Sequence, residues 1–349
     1  MFGAFRFLLA VMVVITHLGG RSALFHYGVY GVFGFYVVSG FLMTAILQRT
    51  YGFDLRGSTS FWMNRFLRIF PAYHLVALAT LVLVGLFPRE AVYFQPAWWI
   101  SDRWIDWLGN LLLFPYSFYD QRFRLVPPTW SVGVELVCYF VVWLVMARSR
   151  RLAWLCAALG VGWVAWALWA GLVWSARYMP VQAAILPFSV GSLIFHHGRP
   201  LRRRLGDRAL GLAAGGVLLI VAHAILAFLP GETYALGAGF YVNFVLVSGV
   251  SALLAVSDPP SRRMREIDGW LGRLSYPLFL VHWSVGFALV LAFPALGRSP
   301  LLLAASLGPS LLVSWLLVRL VDDPIQKLRD RLRVRPRGGV QAPAAGAVR

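Results

Sequence analysis

Residues 29–48 read VYGVFGFYVVSGFLMTAILQ, a run of twenty residues that contains no charged side chain. A helix of about twenty apolar residues is long enough to cross the hydrocarbon core of a bilayer. Nine further blocks of this kind occur along the chain, so the sequence predicts about ten membrane-spanning helices. The predicted bounds are 6–21, 29–48, 71–88, 131–147, 152–173, 180–196, 209–229, 237–256, 272–293 and 300–320.

The composition excludes a water-soluble globular protein. Of the 349 residues, 59% are hydrophobic and 13% are charged, whereas a soluble domain has roughly 45–50% apolar and about 25% charged residues. The two cysteines, Cys138 and Cys156, lie in apolar sequence and share no ligand spacing with the histidines. We therefore expect an all-α polytopic membrane protein with neither a disulfide nor a bound metal ion.

The basic residues predict the orientation of the chain in the membrane. There are 32 Lys and Arg residues against 14 Asp and Glu residues, a net charge of +18. Most arginines between the blocks fall on one side of the membrane if the N-terminus is cytoplasmic, as the positive-inside rule requires. Both termini are then predicted to be cytoplasmic. The positive charge is then explained by the orientation of the chain in the lipid bilayer, which is the expected partner. Binding to nucleic acid is not expected.

Two segments outside the spans have distinct compositions. Residues 89–130 form the longest connecting stretch, and within it the apolar run 108–116 is too short to cross a bilayer. Its tryptophan-rich surroundings predict an interfacial or re-entrant segment on the external side. Residues 326–349 are rich in Arg, Pro, Gly and Ala and are predicted to form a disordered cytoplasmic tail. Residues 1–325 would form the membrane domain.

An ionisable residue within a membrane span is costly, so each one is a functional candidate. His17 follows Arg6 by eleven positions, which returns to within about 20° of the same helix face after a rise of roughly 16 Å. One face of the first helix thus has a cation at the cytoplasmic rim and an imidazole deeper in the membrane. The alternative is a buried structural histidine with a snorkelling arginine.

Glu135 is the second candidate, five residues into the fourth predicted span. A carboxylate at this depth must be neutral or must meet a proton donor or a cation. A histidine oriented by a carboxylate is an arrangement that general-base catalysis uses. The alternative is that Glu135 pairs with an arginine and holds two helices together.

Arg65 and Arg68 are three positions apart and share a helix face at the edge of the third span. Two guanidinium groups in such a place suit phosphate oxygens of a ligand or of lipid headgroups. A positive-inside cluster is the simpler explanation of the same two residues. His282, in the ninth span, either lines the same cavity as the other candidates or forms a structural hydrogen bond between helices.

Taken together, these motifs resemble the acyltransferase 3 family of bacterial integral-membrane acyltransferases. The resemblance extends from residue 6 to about residue 325. It rests on Arg6 and His17 with ten residues between them, GVFGFYVVSGFL at 31–42, RFLRIFPAY at 65–73, WSVGVE at 130–135 and SYPLFLVH at 275–282. The family usually has a further basic residue where this chain has Asn64.

The resemblance implies a membrane enzyme that moves an acyl group, commonly acetyl, from acyl-CoA to a hydroxyl of a carbohydrate or glycoconjugate such as exopolysaccharide or O-antigen. It implies the bacterial cytoplasmic membrane as the location and acyl-CoA as a donor co-substrate, with no permanently bound cofactor. Arg6, Arg65 and Arg68 would hold the nucleotide phosphates. His17 would take the proton of the acceptor hydroxyl, and Glu135 would orient the imidazole.

The remaining candidate residues are expected to line the cavity in which the acyl group is transferred. The transition state needs hydrogen-bond donors for the tetrahedral oxyanion, and the sequence leaves their identity open. The cavity-lining candidates are Ser39, Tyr73, Trp130, Ser131 and His282. A second hypothesis is a proton-coupled transporter or flippase for a lipid-linked or anionic substrate, with His and Glu as a proton relay and the arginines as a binding rim.

Overall fold

The computed structural model describes residues 1–20, 27–259 and 261–332. Every regular element in these ranges is helical, as predicted. The α-helices are α1 Gly3–Leu18, α2 Gly28–Ile46, α3 Leu55–Leu86, α4 Pro88–Phe94, α5 Trp104–Leu112, α6 Trp130–Val141, α7 Arg150–Trp169, α8 Trp174–Tyr178, α9 Val181–Leu205, α10 Arg208–Leu226, α11 Glu232–Leu236, α12 Ala238–Val256, α13 Arg262–Ala292, α14 Pro300–Leu317 and α15 Asp323–Leu332.

Nine helical stretches of the described chain are long and apolar enough to cross a membrane. They are Gly28–Tyr51, Leu55–Leu86, Pro127–Met146, Arg150–Trp169, Trp174–Leu205, Arg208–Leu226, Ala238–Val256, Arg262–Ala292 and Pro300–Arg331. The tenth predicted span, 6–21, corresponds to α1, which is apolar but has only 16 residues and a length of about 24 Å. The protein is therefore an all-helical, multi-pass membrane protein.

Helix α3 begins sixteen residues before the predicted start of the third span. Asp54 caps it, since its carboxylate accepts a hydrogen bond of 2.7 Å from the backbone N–H of Gly57, and an N-cap of this type stabilises a helix start. The helix then continues through Pro71 to Leu86. Arg65 and Arg68 consequently project from one continuous helix that begins well before the predicted span.

Helices α1 and α2 are antiparallel and very close. A Cβ on Gly28 would lie 3.0 Å from the side chain of Thr16, and one on Gly31 would lie 2.7 Å from the carbonyl oxygen of Leu9. Small residues allow such close approach of helices in a membrane. Residues late in α2 therefore lie beside residues early in α1.

The start of α1 is fixed by α13. The carboxylate of Asp268 accepts hydrogen bonds of 3.1 and 2.9 Å from the backbone N–H groups of Gly3 and Ala4. These are among the N–H groups that a helix leaves unsatisfied at its first turn, and a negative charge there is favourable. α1 is thus held between α2 and α13.

The segment between α3 and α6 contains several short helices and no membrane-spanning helix. The run 108–116, predicted to be interfacial or re-entrant, is divided between the end of α5 and a turn at Leu113, which has a φ of 56°. The side chain of Asn110 fastens this turn by donating to the carbonyl of Phe123 and accepting from the N–H of Leu125. The carbonyl oxygen of Leu113 in turn lies 2.4 Å from the position of a Cβ on Gly133, so the glycine of WSVGVE allows α6 to pack here.

The predicted disordered tail needs a correction at its start. The boundary at residue 326 falls inside α15, which continues to Leu332. Arg329 on this helix is only 7% exposed, because it reaches back to α3. The apolar spans determined the predicted boundary, and they gave no sign of this contact. The rest of the predicted tail, 333–349, lies outside the described residues.

Candidate functional site

A cavity of about 110 Å³ lies where α1, α2, α3, α6 and α13 meet. Its polar lining consists of Arg6, Tyr36, Ser39, Arg65, Arg68, Ser131, Glu135, Tyr139, Ser275 and Tyr276. All three arginines that the sequence predicts as a phosphate site are therefore in one place. They come from two helices, since Arg6 is on α1 while Arg65 and Arg68 are on α3.

The guanidinium groups in this cavity have few anionic partners. Arg68 forms an ion pair of 3.2 Å with Asp322. Arg65 donates to the side-chain oxygen of Asn64 at 3.1 Å and to the sulfur of Met43 at 3.6 Å, both neutral. Within the described residues, Arg6 forms no side-chain hydrogen bond and no ion pair. Because a buried cation without a counter-ion is costly, this arrangement favours an anionic ligand.

Glu135 lies at this end of the molecule as well. Its Oε1 accepts a hydrogen bond from the hydroxyl of Ser39 and another of 2.5 Å from the hydroxyl of Tyr139. Tyr139 is one turn further along α6, so the helix itself brings its hydroxyl to the carboxylate. The carboxylate thus has two hydroxyl donors in a cavity that it shares with three arginines.

The structure separates Glu135 from the imidazole of His17, which the carboxylate would have to reach in order to orient it. Gly28 is level with Thr16, next to His17, and Ser39 follows Gly28 by eleven residues along α2. That distance is about 16 Å of helix. The antiparallel packing of α1 and α2 therefore places Ser39, and the carboxylate bound to it, near Arg6 rather than near His17.

His17 instead meets His282 on α13. Nδ1 of His17 lies 2.8 Å from Nε2 of His282, and the two rings are stacked at 5.1 Å with an angle of 6° between their planes. Nδ1 of His282 lies 3.1 Å from the carbonyl oxygen of Leu278. His282 is fully buried. We name His17 and His282 the histidine pair.

The hydrogen bonds of the histidine pair determine where its protons are. A carbonyl oxygen only accepts, so Nδ1 of His282 must carry a proton for its bond to Leu278. In the neutral ring Nε2 of His282 is then the acceptor, and Nδ1 of His17 is the donor. The lone pair of a neutral His17 is consequently on Nε2. This is the tautomer that a base acting through Nε2 requires.

A tryptophan and an arginine surround the histidine pair. The ring of Trp283 lies 5.2 Å from that of His17. Arg298 lies over the same tryptophan at 5.1 Å and donates a 3.0 Å hydrogen bond to the carbonyl oxygen of His17. The end of α1 is held in place by these contacts, and with it the imidazole.

The predicted cavity-lining residues divide into two groups. Ser39 and Ser131 line the cavity. The other three do not contribute to its lining. Tyr73 donates a 2.6 Å hydrogen bond to the carbonyl of Asn110, Trp130 packs against Tyr178 at 5.2 Å, and His282 belongs to the histidine pair.

Sequence reasoning missed several polar residues at this end of the molecule, among them Tyr139, which lines the cavity, and Arg329, which contacts Asn64 on α3. Tyr139 follows Glu135 by four residues in a predicted helix, and this spacing could have identified it. Arg329 could not have been found in this way, because 265 positions separate it from its partner Asn64. Its guanidinium donates to Asn64 Oδ1 at 3.2 and 2.9 Å, the oxygen that Arg65 also uses. The guanidinium groups of Arg65 and Arg329 thus converge on one amide oxygen, and like charges this close repel each other.

These features define a class of protein: a polytopic helical membrane protein in which one short helix, α1, connects an arginine-lined cavity with a histidine pair. Comparison with known proteins is specific about the family. Residues 2–319 match the family model described as "Acyltransferase domain". The chain belongs to this acyltransferase family, so the resemblance predicted from its motifs is confirmed. No solved structure gives a significant match.

Two curated relatives have similar sequences. One, from Listeria monocytogenes, is named "Peptidoglycan O-acetyltransferase OatA" and is 23% identical over an alignment that covers 92% of this chain and 55% of that protein. Another, from Bacillus subtilis, is named "Putative peptidoglycan O-acetyltransferase YrhL" and is 32% identical over 38% of this chain and 21% of that protein. The chain thus spans about half or less of the length of these relatives.

Proposed function

We propose that the protein is a membrane O-acyltransferase that transfers an acetyl or other short acyl group from acyl-CoA to a carbohydrate hydroxyl. One observation carries the proposal: a single helix, α1, joins a cluster of arginines with few counter-ions at one end to the histidine pair at the other. The arginine cluster suits a polyanionic acyl carrier, and the histidine pair suits proton transfer. An acyl-CoA combines a phosphate-bearing nucleotide with a thioester at the end of a long arm.

The donor end is the arginine-lined cavity. Arg6, Arg65 and Arg68 would bind the phosphate groups of the donor through charge-assisted hydrogen bonds. Glu135, held by Ser39 and Tyr139, would keep the polar lining of this cavity in order rather than act on the imidazole. The pantetheine arm would then extend along α1 for about 16 Å to reach His17.

The acyl-transfer step uses the histidine pair. Nε2 of His17 takes the proton of the acceptor hydroxyl while its oxygen attacks the thioester carbonyl. The tetrahedral intermediate collapses with cleavage of the C–S bond, and the imidazolium returns its proton to the departing thiolate. The products are the ester and free CoA. His282 is a positioning residue, because its Nε2 accepts a hydrogen bond from Nδ1 of His17. This bond favours the tautomer of His17 that has its lone pair on Nε2.

The acceptor is inferred from the relatives. The names of both curated relatives specify peptidoglycan O-acetylation, and we infer for this chain a cell-envelope carbohydrate or glycoconjugate as acceptor. For the same reason, we infer the cytoplasmic membrane of a bacterium as the location of the protein. With a cytoplasmic N-terminus, the arginines would face the side on which CoA is available.

The proposal is tested with purified protein in lipid nanodiscs. Acetyl-CoA and a crude cell-envelope glycan extract are supplied, and release of free CoA and transfer of labelled acetyl groups are measured. We expect activity from wild type and none above background from His17→Ala. His223→Ala is the matched control and should retain activity, because this histidine on α10 packs against Tyr30 and belongs neither to the cavity lining nor to the histidine pair.

Donor binding is measured on the same samples. Binding of CoA by both wild type and His17→Ala, with activity only in wild type, would support the proposal. Equal activity of His17→Ala would remove His17 from the proton transfer. Failure of wild type to bind CoA at all would overturn the proposal and favour the transporter hypothesis.

A further inference from the structure

Helix α15 places a buried arginine against α3. Arg329 is 7% exposed and Asn64 is 1% exposed. The guanidinium of Arg329 donates to Asn64 Oδ1 from Nε at 3.2 Å and from Nη2 at 2.9 Å, and to Gln326 Oε1 from Nη1 at 2.8 Å. All its hydrogen-bond partners are therefore neutral amides.

Two donors beside this contact have no acceptor. Across the described ranges, the side-chain nitrogen Nδ2 of Asn64 and Nε of Arg65 are buried without a hydrogen-bond partner. The orientation of the amide is fixed, because two guanidinium groups that can only donate converge on Asn64 Oδ1. Buried hydrogen-bond donors in native proteins nearly always have an acceptor. We therefore expect a bound molecule to supply the acceptor for these two nitrogens.

The nearby carboxylates are already used. Asp322 pairs with Arg68 at 3.2 Å, and Asp323 accepts from Arg273 at 2.7 Å and from Arg319 at 3.3 Å. All 14 acidic residues of the sequence lie within the described ranges, and none of them forms an ion pair with Arg65 or Arg329. Unpaired cations and unsatisfied donors at one point require an acceptor with negative charge and several oxygens.

We propose that Asn64, Arg65 and Arg329 form a phosphate subsite of the donor site, in which Arg329 is the residue contributed by α15. Phosphate oxygens accept from Nδ2 of Asn64, Nε of Arg65 and the guanidinium of Arg329. This inference rests on the proposed function, and it assigns the nucleotide end of acyl-CoA to the junction of α3 and α15. A phospholipid headgroup has the same chemistry, and the experiment distinguishes the two sources.

The experiment compares Arg329→Gln with Arg331→Gln in zwitterionic nanodiscs. Arg331 is exposed on the same helix and controls for loss of charge alone. Kd is measured for CoA and for pantetheine, which lacks phosphate. Because a hydrogen bond to a charged group is lost, we expect Arg329→Gln to weaken CoA binding about tenfold or more. Pantetheine binding should be unchanged, and Arg331→Gln should resemble wild type.

Asn64→Asp separates ligand binding from structural support. A carboxylate here would pair with Arg329 and Arg65, so the thermal stability should be retained or raised. The same charge would repel phosphate, so CoA binding should be weaker. A purely structural contact would instead leave CoA binding intact in Asn64→Asp.

Three outcomes would overturn the inference. Wild-type CoA affinity in both Arg329→Gln and Asn64→Asp would remove the subsite and leave the proposed function standing. If binding of CoA is insensitive to Arg329→Gln, but added phosphatidylglycerol stabilises wild type and not the variant, the site belongs to a lipid headgroup. If wild type itself binds no CoA, the proposed function and the subsite fail together.

Discussion

Replacement of His282 by phenylalanine tests the role assigned to the histidine pair. Phenylalanine fills the same buried space, and it removes both the acceptor for Nδ1 of His17 and the donor to the carbonyl of Leu278. His17 itself is untouched. The variant therefore asks whether the imidazole works alone or only with a partner that fixes its tautomer.

The expected effect follows from the change in charge during the reaction. The bond between the two rings is neutral in the resting enzyme, where such a bond contributes about 1 kcal/mol, and it is charge-assisted once His17 is an imidazolium, where it contributes about 2–3 kcal/mol. Only the difference of roughly 1–2 kcal/mol affects the rate. This corresponds to a kcat that is about 5- to 30-fold lower, and access to the unproductive tautomer lowers it further.

The assay is steady-state release of CoA from acetyl-CoA in nanodiscs. KM for acetyl-CoA should remain unchanged, because the arginines lie about 16 Å along α1 from the histidines. Ser284→Ala is the matched control on the same helix: it removes a 2.6 Å hydrogen bond to Thr80 and should leave kcat at the wild-type level. A His282→Phe enzyme with wild-type kcat, or one with an altered KM alone, would refute the reasoning.

Three further predictions concern the donor end and the packing of the helices. Arg65→Ala should weaken CoA binding about tenfold or more without lowering kcat at saturating donor, as measured by equilibrium binding and steady-state kinetics. Tyr139→Phe leaves the buried carboxylate of Glu135 with one hydroxyl donor fewer and should lower stability by about 1–3 kcal/mol in thermal unfolding. Gly40→Ala should destabilise the bundle by about 1–3 kcal/mol or more, because its Cβ would lie 2.2 Å from the carbonyl oxygen of Phe188 on α9; unaltered melting in detergent would contradict this packing.

The helical architecture could be predicted largely from the sequence, because apolar length alone identifies a membrane span. The boundaries were less predictable where polar residues are buried. α3 begins at Leu55 rather than near Pro71. Its N-terminal half, which includes Arg65 and Arg68, is too polar to be recognised from apolar length as part of a membrane span. α15 was taken for a tail for the same reason.

Several residues of the candidate site could be predicted from the sequence, but the contacts between residues on different helices could not. Arg6 and His17 both lie on α1, and Arg65 and Arg68 line the same cavity as Arg6. Which carboxylate or imidazole meets His17 depends on how α1, α2 and α13 are stacked. Helical periodicity within one element carries no information about that register, so the sequence does not show that the imidazole of His17 meets His282 or that Glu135 lies in the cavity with Arg6.

The rigid connection between the arginine-lined cavity and the histidine pair has a consequence for donor choice. Both ends are attached to α1, whose start is tied to α13 by Asp268 and whose end is tied by Arg298. The distance between the two ends is therefore set by the length of one helix, about 16 Å. In the proposed reaction, α1 would therefore select acyl donors by the distance between their phosphates and their thioester. A donor in which this distance is too short would bind through its phosphates but would not bring its thioester to His17.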